Sequence, residues 1–163
     1  MLFAFLSLTS LSFAQITSEE DMAKAVFETI QNNDLETFTS YCITEDGMTK
    51  IINGMEETTP KEKAIKQELQ QESVDNCRNE STHSFNLLLK ELTDNNIVIK
   101  AIELSKPITV EPGFEVTNLK HSEIEFEVSF EKTIYGISVG LFITQGELFI
   151  FNFHFYEIDI ERK

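Results

Sequence analysis

Residues 124–160 read IEFEVSFEKTIYGISVGLFITQGELFIFNFHFYEIDI, a stretch in which apolar and polar residues alternate through three consecutive segments. Successive side chains of a β-strand point to opposite faces, so this alternation predicts three antiparallel strands. Turns are predicted at residues 132–133 and at residues 145–146, where Gly146 supplies a positive φ. The end of the chain therefore predicts a meander sheet.

A two-residue loop at Gln145 and Gly146 fixes the predicted register of the last two strands. It places small residues beside aromatic ones, with Gly140 beside Phe151 and Gly136 beside Phe155. Aromatic side chains that cover strand glycines favour this register over one shifted by a single residue. A turn at Lys132 and Thr133 would likewise place Phe126 beside Val139 and Val128 beside Ile137.

The predicted register divides the sheet into two faces. One face is apolar almost throughout, so we expect helices to cover it, and it also carries Asn152, His154 and Tyr156. The opposite face joins several glutamates to a strip of four aromatic residues, Phe149, Phe151, Phe153 and Phe155. Monomers seldom expose such a strip, so it predicts a homodimer or partner interface, unless residues 106–122 fold back over it.

The N-terminal residues predict export. Residues 1–18 carry no charge, and the apolar run of residues 2–11 is followed by Ser12, Phe13 and Ala14, which is typical of a signal peptide cleaved before Gln15. A core helix or a membrane anchor is the alternative, and the basic residues that usually precede such a run are absent. We therefore predict a signal peptide over residues 1–14, one domain over residues 15–163, and a secreted or periplasmic protein.

The composition is strongly acidic, with 13 Lys and Arg against 28 Asp and Glu and a net charge of -15. This charge repels phosphate backbones and anionic lipid, so it disfavours nucleic acid and membrane surfaces as partners. The same charge also favours solubility.

Cys42 and Cys77 are the two cysteines. In an exported protein they predict one disulfide, with two unpaired buried thiols as the alternative.

The first half of the chain predicts helices. Thr17 or Ser18 caps a first helix that ends at Asn32 and Asn33, Asp34 caps a second, and Gly47 separates the second from a third. Thr59, Pro60 and Glu62 form a capping box for a long polar helix, in which we expect a break between Asp75 and Thr82. Residues 97–104 predict a first strand, and Pro107, Pro112 and Gly113 predict an irregular crossing.

Helices followed by a meander predict an α+β fold, in which N-terminal helices pack on a curved antiparallel sheet of four strands. The opening over residues 23–42, with Asn33 and Asp34, and the last strands, with Gly140 and Gly146, resemble the nuclear transport factor two-like, or cystatin-like, superfamily. The long polar helix and the late first strand depart from its compact enzymes. The resemblance implies the architecture and leaves function open, because the superfamily includes isomerases, dehydratases and non-catalytic secreted binders.

Sequence motifs with a known chemistry are absent: none for a phosphate loop, a metal site or a nucleophile elbow is found, so no cofactor, metal or catalytic residue is predicted. His83 and His121 are interpreted as surface residues.

In the superfamily that the chain resembles, the concave sheet face forms a pocket with the helices. We therefore predict that a cavity for a small hydrophobic ligand is lined by Asn152, His154, Tyr156 and Tyr135. In the alternative, these polar side chains form hydrogen bonds to helix ends or lie at the solvent-exposed margin of the sheet.

The function that these observations favour is a non-catalytic binding module. A small-molecule isomerase or dehydratase is the second hypothesis, with His154 as its anchor and no carboxylate assigned beside it. A homodimeric interaction protein is the third.

Overall fold

The computed structural model describes residues 16–158, and it confirms the α+β class. Its helices come first: α1 (Glu19–Asn32), α2 (Leu35–Tyr41), α3 (Glu45–Gly54), α4 (Pro60–Gln71) and α5 (Val74–Asp94). A short 3-10 helix (Ile99–Ala101) leads to the strands β1 (Glu103–Leu104), β2 (Thr109–Val116), β3 (Leu119–Phe130), β4 (Thr133–Thr144) and β5 (Glu147–Ile158). The predicted signal peptide, residues 1–14, lies outside the described residues.

Side-chain caps start the helices where the sequence predicts. Ser18 and Asp34 accept hydrogen bonds from the backbone N–H groups three residues on, and Thr59 with Glu62 forms the capping box. Two boundaries differ from the prediction. Gly47 lies inside α3 instead of before it, and the break in the long helix falls at Glu72 and Ser73, where Ser73 caps α5.

The sheet has five strands instead of the four predicted. Its order is β1-β3-β4-β5, and β2 pairs with the same β3 further along. The predicted irregular crossing contains β2, whose pairing with β3 shifts between Pro112 and Glu115. A proline is tolerated there because β2 is an edge strand and the irregularity removes the need for its N–H. The predicted buried first strand is instead the exposed two-residue β1.

The β3–β4 hairpin turns at Glu131 and Lys132, one residue before the predicted turn. Phe126 therefore lies opposite Ile137 and Val128 opposite Tyr135, a register two residues from the predicted one. A shift of two residues leaves every side chain on its own face. The grouping of apolar residues predicted for β3 and β4 is therefore correct although the pairs are not.

The β4–β5 hairpin follows the predicted register only near its turn. Phe142 lies opposite Phe149 as expected, but the pairing shifts after Leu141, so that Gly140 lies opposite Asn152 instead of Phe151. One extra residue on β5 exchanges the faces of all residues beyond it. This bulge overturns the predicted orientation of residues 152–156.

The face that we call the main-core face carries Val139, Leu141, Ile150 and Phe153, all at most 1% exposed. Helices α1 and α2 and the C-terminal half of α5 cover it, and their residues join it in one hydrophobic cluster. Phe153 lies against the stacked rings of Phe38 and Phe85, with ring centroids 5.1 and 5.7 Å away. Phe153 is thus a central residue of the main core.

The opposite face, which we call the outer face, is covered only near the β4–β5 turn. There a second cluster joins Phe142 to Met48 and Ile51 of α3, Leu69 of α4 and Cys77 of α5, with Phe149 and Phe151 packed against it. The predicted strip of four phenylalanines is therefore wrong, since Phe149 and Phe151 lie under helices on the outer face while Phe153 and Phe155 pack into the main core. The homodimer prediction loses the surface on which it depended.

The predicted disulfide between Cys42 and Cys77 is also wrong. Both thiols are free and buried. Cys42 belongs to the main core and Cys77 to the second cluster. Burial raises the pKa of Cys42 to about 12 and that of Cys77 to about 11, so both are thiols at neutral pH.

Candidate functional site

A cleft of about 460 Å³ opens between the α4–α5 corner and the outer face of the sheet. Its floor is apolar and aromatic, with Leu69, Phe114, Phe142 and Phe151 among its residues. The cleft lies beside the second cluster because α4 and the N-terminal half of α5 cover only one end of the outer face. A concave apolar site of this size with a few polar groups is typical of a small-molecule site.

His121 is the centre of the aromatic floor. Its ring centroid lies 5.3 Å from that of Phe114 and 5.2 Å from that of Phe151, and the Phe142 and Phe151 rings stack at 4.4 Å. Burial lowers the pKa of His121, while the carboxylate of Glu123 opposes this shift. The imidazole is therefore uncharged at neutral pH and offers a hydrogen-bond acceptor as well as a donor.

Gly113 makes room for the His121 ring. A Cβ atom on Gly113 would overlap Nδ1 of His121 and lie 2.9 Å from its Cε1. We expect Gly113→Ala to push the ring out of the aromatic floor and so to return the His121 pKa toward its ordinary value. The measurement is an NMR titration of the imidazole protons.

Gly54→Ala is the matched control for this prediction. The Cβ atom that it adds meets no atom closer than 3.7 Å. His121 should titrate in this variant as in the unaltered protein. An unchanged His121 titration in Gly113→Ala would contradict the close approach.

The structure separates the four predicted ligand-binding residues. Asn152 and His154 do line the cleft, but from the outer face, since the bulge reverses their orientation. Tyr156 covers Gly136 on the same face and lines a different depression of about 330 Å³ beside Lys106 and Glu127. Tyr135 lies in the main core, where its hydroxyl accepts a hydrogen bond from Asn95 Nδ2 at 3.1 Å.

The rim of the cleft is acidic. Glu68 of α4, Glu72 at the helix break and Glu80 of α5 line it together with Cys77. The Cys77 Sγ donates to Glu72 Oε1 at 3.4 Å. Among the described residues that line the cleft there is no Lys or Arg that would offset the charge of these carboxylates.

Ser81 lines the cleft with a hydroxyl that lacks a partner. The residue is 1% exposed, and its Oγ has no hydrogen bond to any of the described residues. A helical serine normally donates to the carbonyl one turn back, and a buried hydroxyl without a partner costs about 1–3 kcal/mol. The Ser81 hydroxyl is thus an unsatisfied polar group in the wall of this cleft.

Sequence reasoning missed most of this site. It interpreted His121 as a surface residue, whereas His121 lies half-buried on β3. A signal was present: residues 148–151, Leu-Phe-Ile-Phe, are four consecutive apolar residues, which indicate a strand segment covered on both faces. That reading would have placed helices on the outer face and a cleft at their margin.

Comparisons of the chain with protein-family models, with curated proteins and with solved structures give no match. Within residues 16–158, no three His, Cys, Asp or Glu side chains are close enough together to hold a metal ion. Over the same residues, no helix has the length and apolar character needed to span a membrane.

Proposed function

We propose that this protein is a non-catalytic binding module that takes a small, largely apolar ligand in the cleft between α4, α5 and the outer face of the sheet. The observation that carries the proposal is the aromatic floor around His121, where the half-buried rings of Phe114 and Phe151 line a cleft that opens to solvent. Aromatic side chains left accessible in a concave site supply most of the binding energy for a small ligand. The proposal moves the predicted pocket from the main-core face to the outer face.

The proposal keeps export to a secreted or periplasmic location, which the uncharged N-terminal run supports. The cysteines give no further support for an oxidising compartment, because they are unbonded. The resemblance to the nuclear transport factor two-like superfamily also remains part of the proposal, supported by the order of helices and strands.

An acid/base enzyme is the second candidate function. The observation in its favour is that His121 and His154 line the same cleft as Glu68, Glu72 and Glu80. An imidazole and a carboxylate in one cleft are the groups that general acid/base catalysis uses. Turnover of a ketone substrate that is lost in His154→Gln would favour this candidate over a binding module.

A set of uncharged aromatic fragments tests the proposed site by amide chemical shifts in NMR. We expect the largest shifts at residues 114, 121 and 151, with dissociation constants in the range from about 10 μM to 1 mM that simple fragments reach. Phe151→Ala should weaken this binding about tenfold, because it removes one ring of the floor.

Leu87→Ala is the matched control for Phe151→Ala. Leu87 is a large apolar residue of α5, 43% exposed, and does not line the cleft. Fragment binding should be unchanged in this variant. If no fragment shifts the cleft residues, the proposed site is wrong.

A further inference from the structure

The cleft combines three features that bear on the charge of its ligand. Its floor presents the half-buried rings of Phe114 and Phe151, and the faces of such rings carry negative electrostatic potential. Its rim carries Glu68, Glu72 and Glu80. The net charge of -15 adds a long-range field that concentrates cations at the protein surface.

Ser81 supplies an independent observation that points to a ligand. Its buried Oγ is a hydrogen-bond acceptor without a donor among the described residues, and it lines the same cleft. The uncharged His121 imidazole adds a second acceptor on the floor. Acceptors, carboxylates and aromatic faces are together the groups that recognise an ammonium ion.

We propose that the ligand of this cleft is an organic cation, an amine carried on an apolar body, with the body on the aromatic floor and the ammonium group among Ser81 and the rim glutamates. This inference rests on the proposed function and specifies the chemical class of its ligand. An organic anion is disfavoured because the rim carboxylates would repel it. A purely apolar ligand would leave the Ser81 hydroxyl without a partner.

Three probes of one skeleton test the charge preference: 4-phenylbutylamine, 4-phenyl-1-butanol and 4-phenylbutyrate, measured by calorimetry and by amide shifts at pH 7. We expect the amine to bind about tenfold more tightly than the alcohol, and the anion to bind more weakly than either. Added salt should weaken the binding of the amine and leave that of the alcohol unchanged, because salt screens charges near the surface.

Two double variants distinguish the effect of the rim carboxylates on amine binding from the effect of the overall charge. Glu68→Gln with Glu80→Gln removes two rim carboxylates, whereas Glu28→Gln with Glu36→Gln removes two exposed carboxylates of α1 and α2. We expect the first pair to abolish most of the amine preference and the second to leave it intact. An equal effect of the two pairs would overturn the assignment of the ammonium group to the rim.

Ser81→Ala distinguishes a role of Ser81 in ligand binding from a purely structural role. The variant breaks no hydrogen bond of the described residues, so the free energy of unfolding of the ligand-free protein should stay the same or rise. Affinity for the amine should fall several-fold. A destabilised protein with unchanged amine affinity would overturn the role of Ser81.

The outcomes distinguish this inference from the proposed function. If the uncharged fragments and the alcohol bind at residues 114, 121 and 151 and the amine binds no more tightly, the cation preference is wrong and the small-molecule site stands. If neither the fragments nor any of the three probes shifts these residues, both are wrong.

Discussion

Phe153→Ala should lower the free energy of unfolding by about 3–5 kcal/mol, the range measured for truncation of a fully buried phenylalanine. Phe153 is 1% exposed and lies against Phe38 and Phe85. Its removal leaves a cavity beside the stacked rings of Phe38 and Phe85, which α2 and α5 hold in place. Denaturant unfolding followed by circular dichroism measures the change.

His154→Ala is the control for this result. His154 is the next residue of β5, is exposed and lies on the outer face, so its truncation should change the free energy of unfolding by no more than about 0.5 kcal/mol. The register without a bulge would place Phe153 on the outer face and His154 in the core. Comparable losses in both variants would therefore contradict the bulge after Leu141.

Glu62→Gln should lower the melting temperature at pH 7 and make stability less sensitive to acid. The side chain is 4% exposed and accepts hydrogen bonds from Thr58, Thr59 and Thr117. The hydrogen bonds from Thr58 and Thr117 are the main causes that lower the pKa of Glu62 from 4.5 to about 2. Glu62 thus closes the capping box of α4 and fastens this helix to the β2–β3 turn.

The pH window of this effect follows from the direction of the shift. A carboxyl group whose pKa is lower in the folded state stabilises the fold above its unfolded pKa, and this stability is lost as the pH falls toward the folded pKa. The melting temperature of the unaltered protein should decrease as the pH is lowered from about 4.5 to about 2. The melting temperature of Glu62→Gln should decrease less over the same pH range.

Glu68→Gln is the matched control for Glu62→Gln, because it removes the same charge from an exposed position of the same helix. Its melting temperature should follow that of the unaltered protein at each pH. Parallel melting curves for Glu62→Gln and the unaltered protein between pH 4.5 and pH 2 would contradict the role of Glu62.

The helix starts were predictable because their causes are local. The hydroxyl of Ser18, the carboxylate of Asp34 and the Thr59–Glu62 box each satisfy N–H groups within three residues. The faces of β3 and β4 were predictable for a similar reason, since alternation survives a register error of two residues.

The orientation of the last strand was not predictable in the same way. A single extra residue near Phe151 exchanges the faces of Asn152, Phe153 and His154. The expected covering of strand glycines does occur, in part with other partners: Tyr156 instead of Phe155 covers Gly136, and Phe151 covers Gly140 together with Asn152. The pattern that favoured the simple register is therefore also satisfied by the bulged one.

The sequence by itself determined the α+β class, the helix caps and the division of β3 and β4 into an apolar and a polar side. Each of these depends on residues a few positions apart, through hydrogen bonds to nearby N–H groups or through the two-residue period of a strand. The tertiary structure decided that α3, α4 and part of α5 cover the other face, that the thiols stay apart and that a cleft surrounds His121. Those features depend on contacts between residues far apart in the chain, which no local pattern specifies.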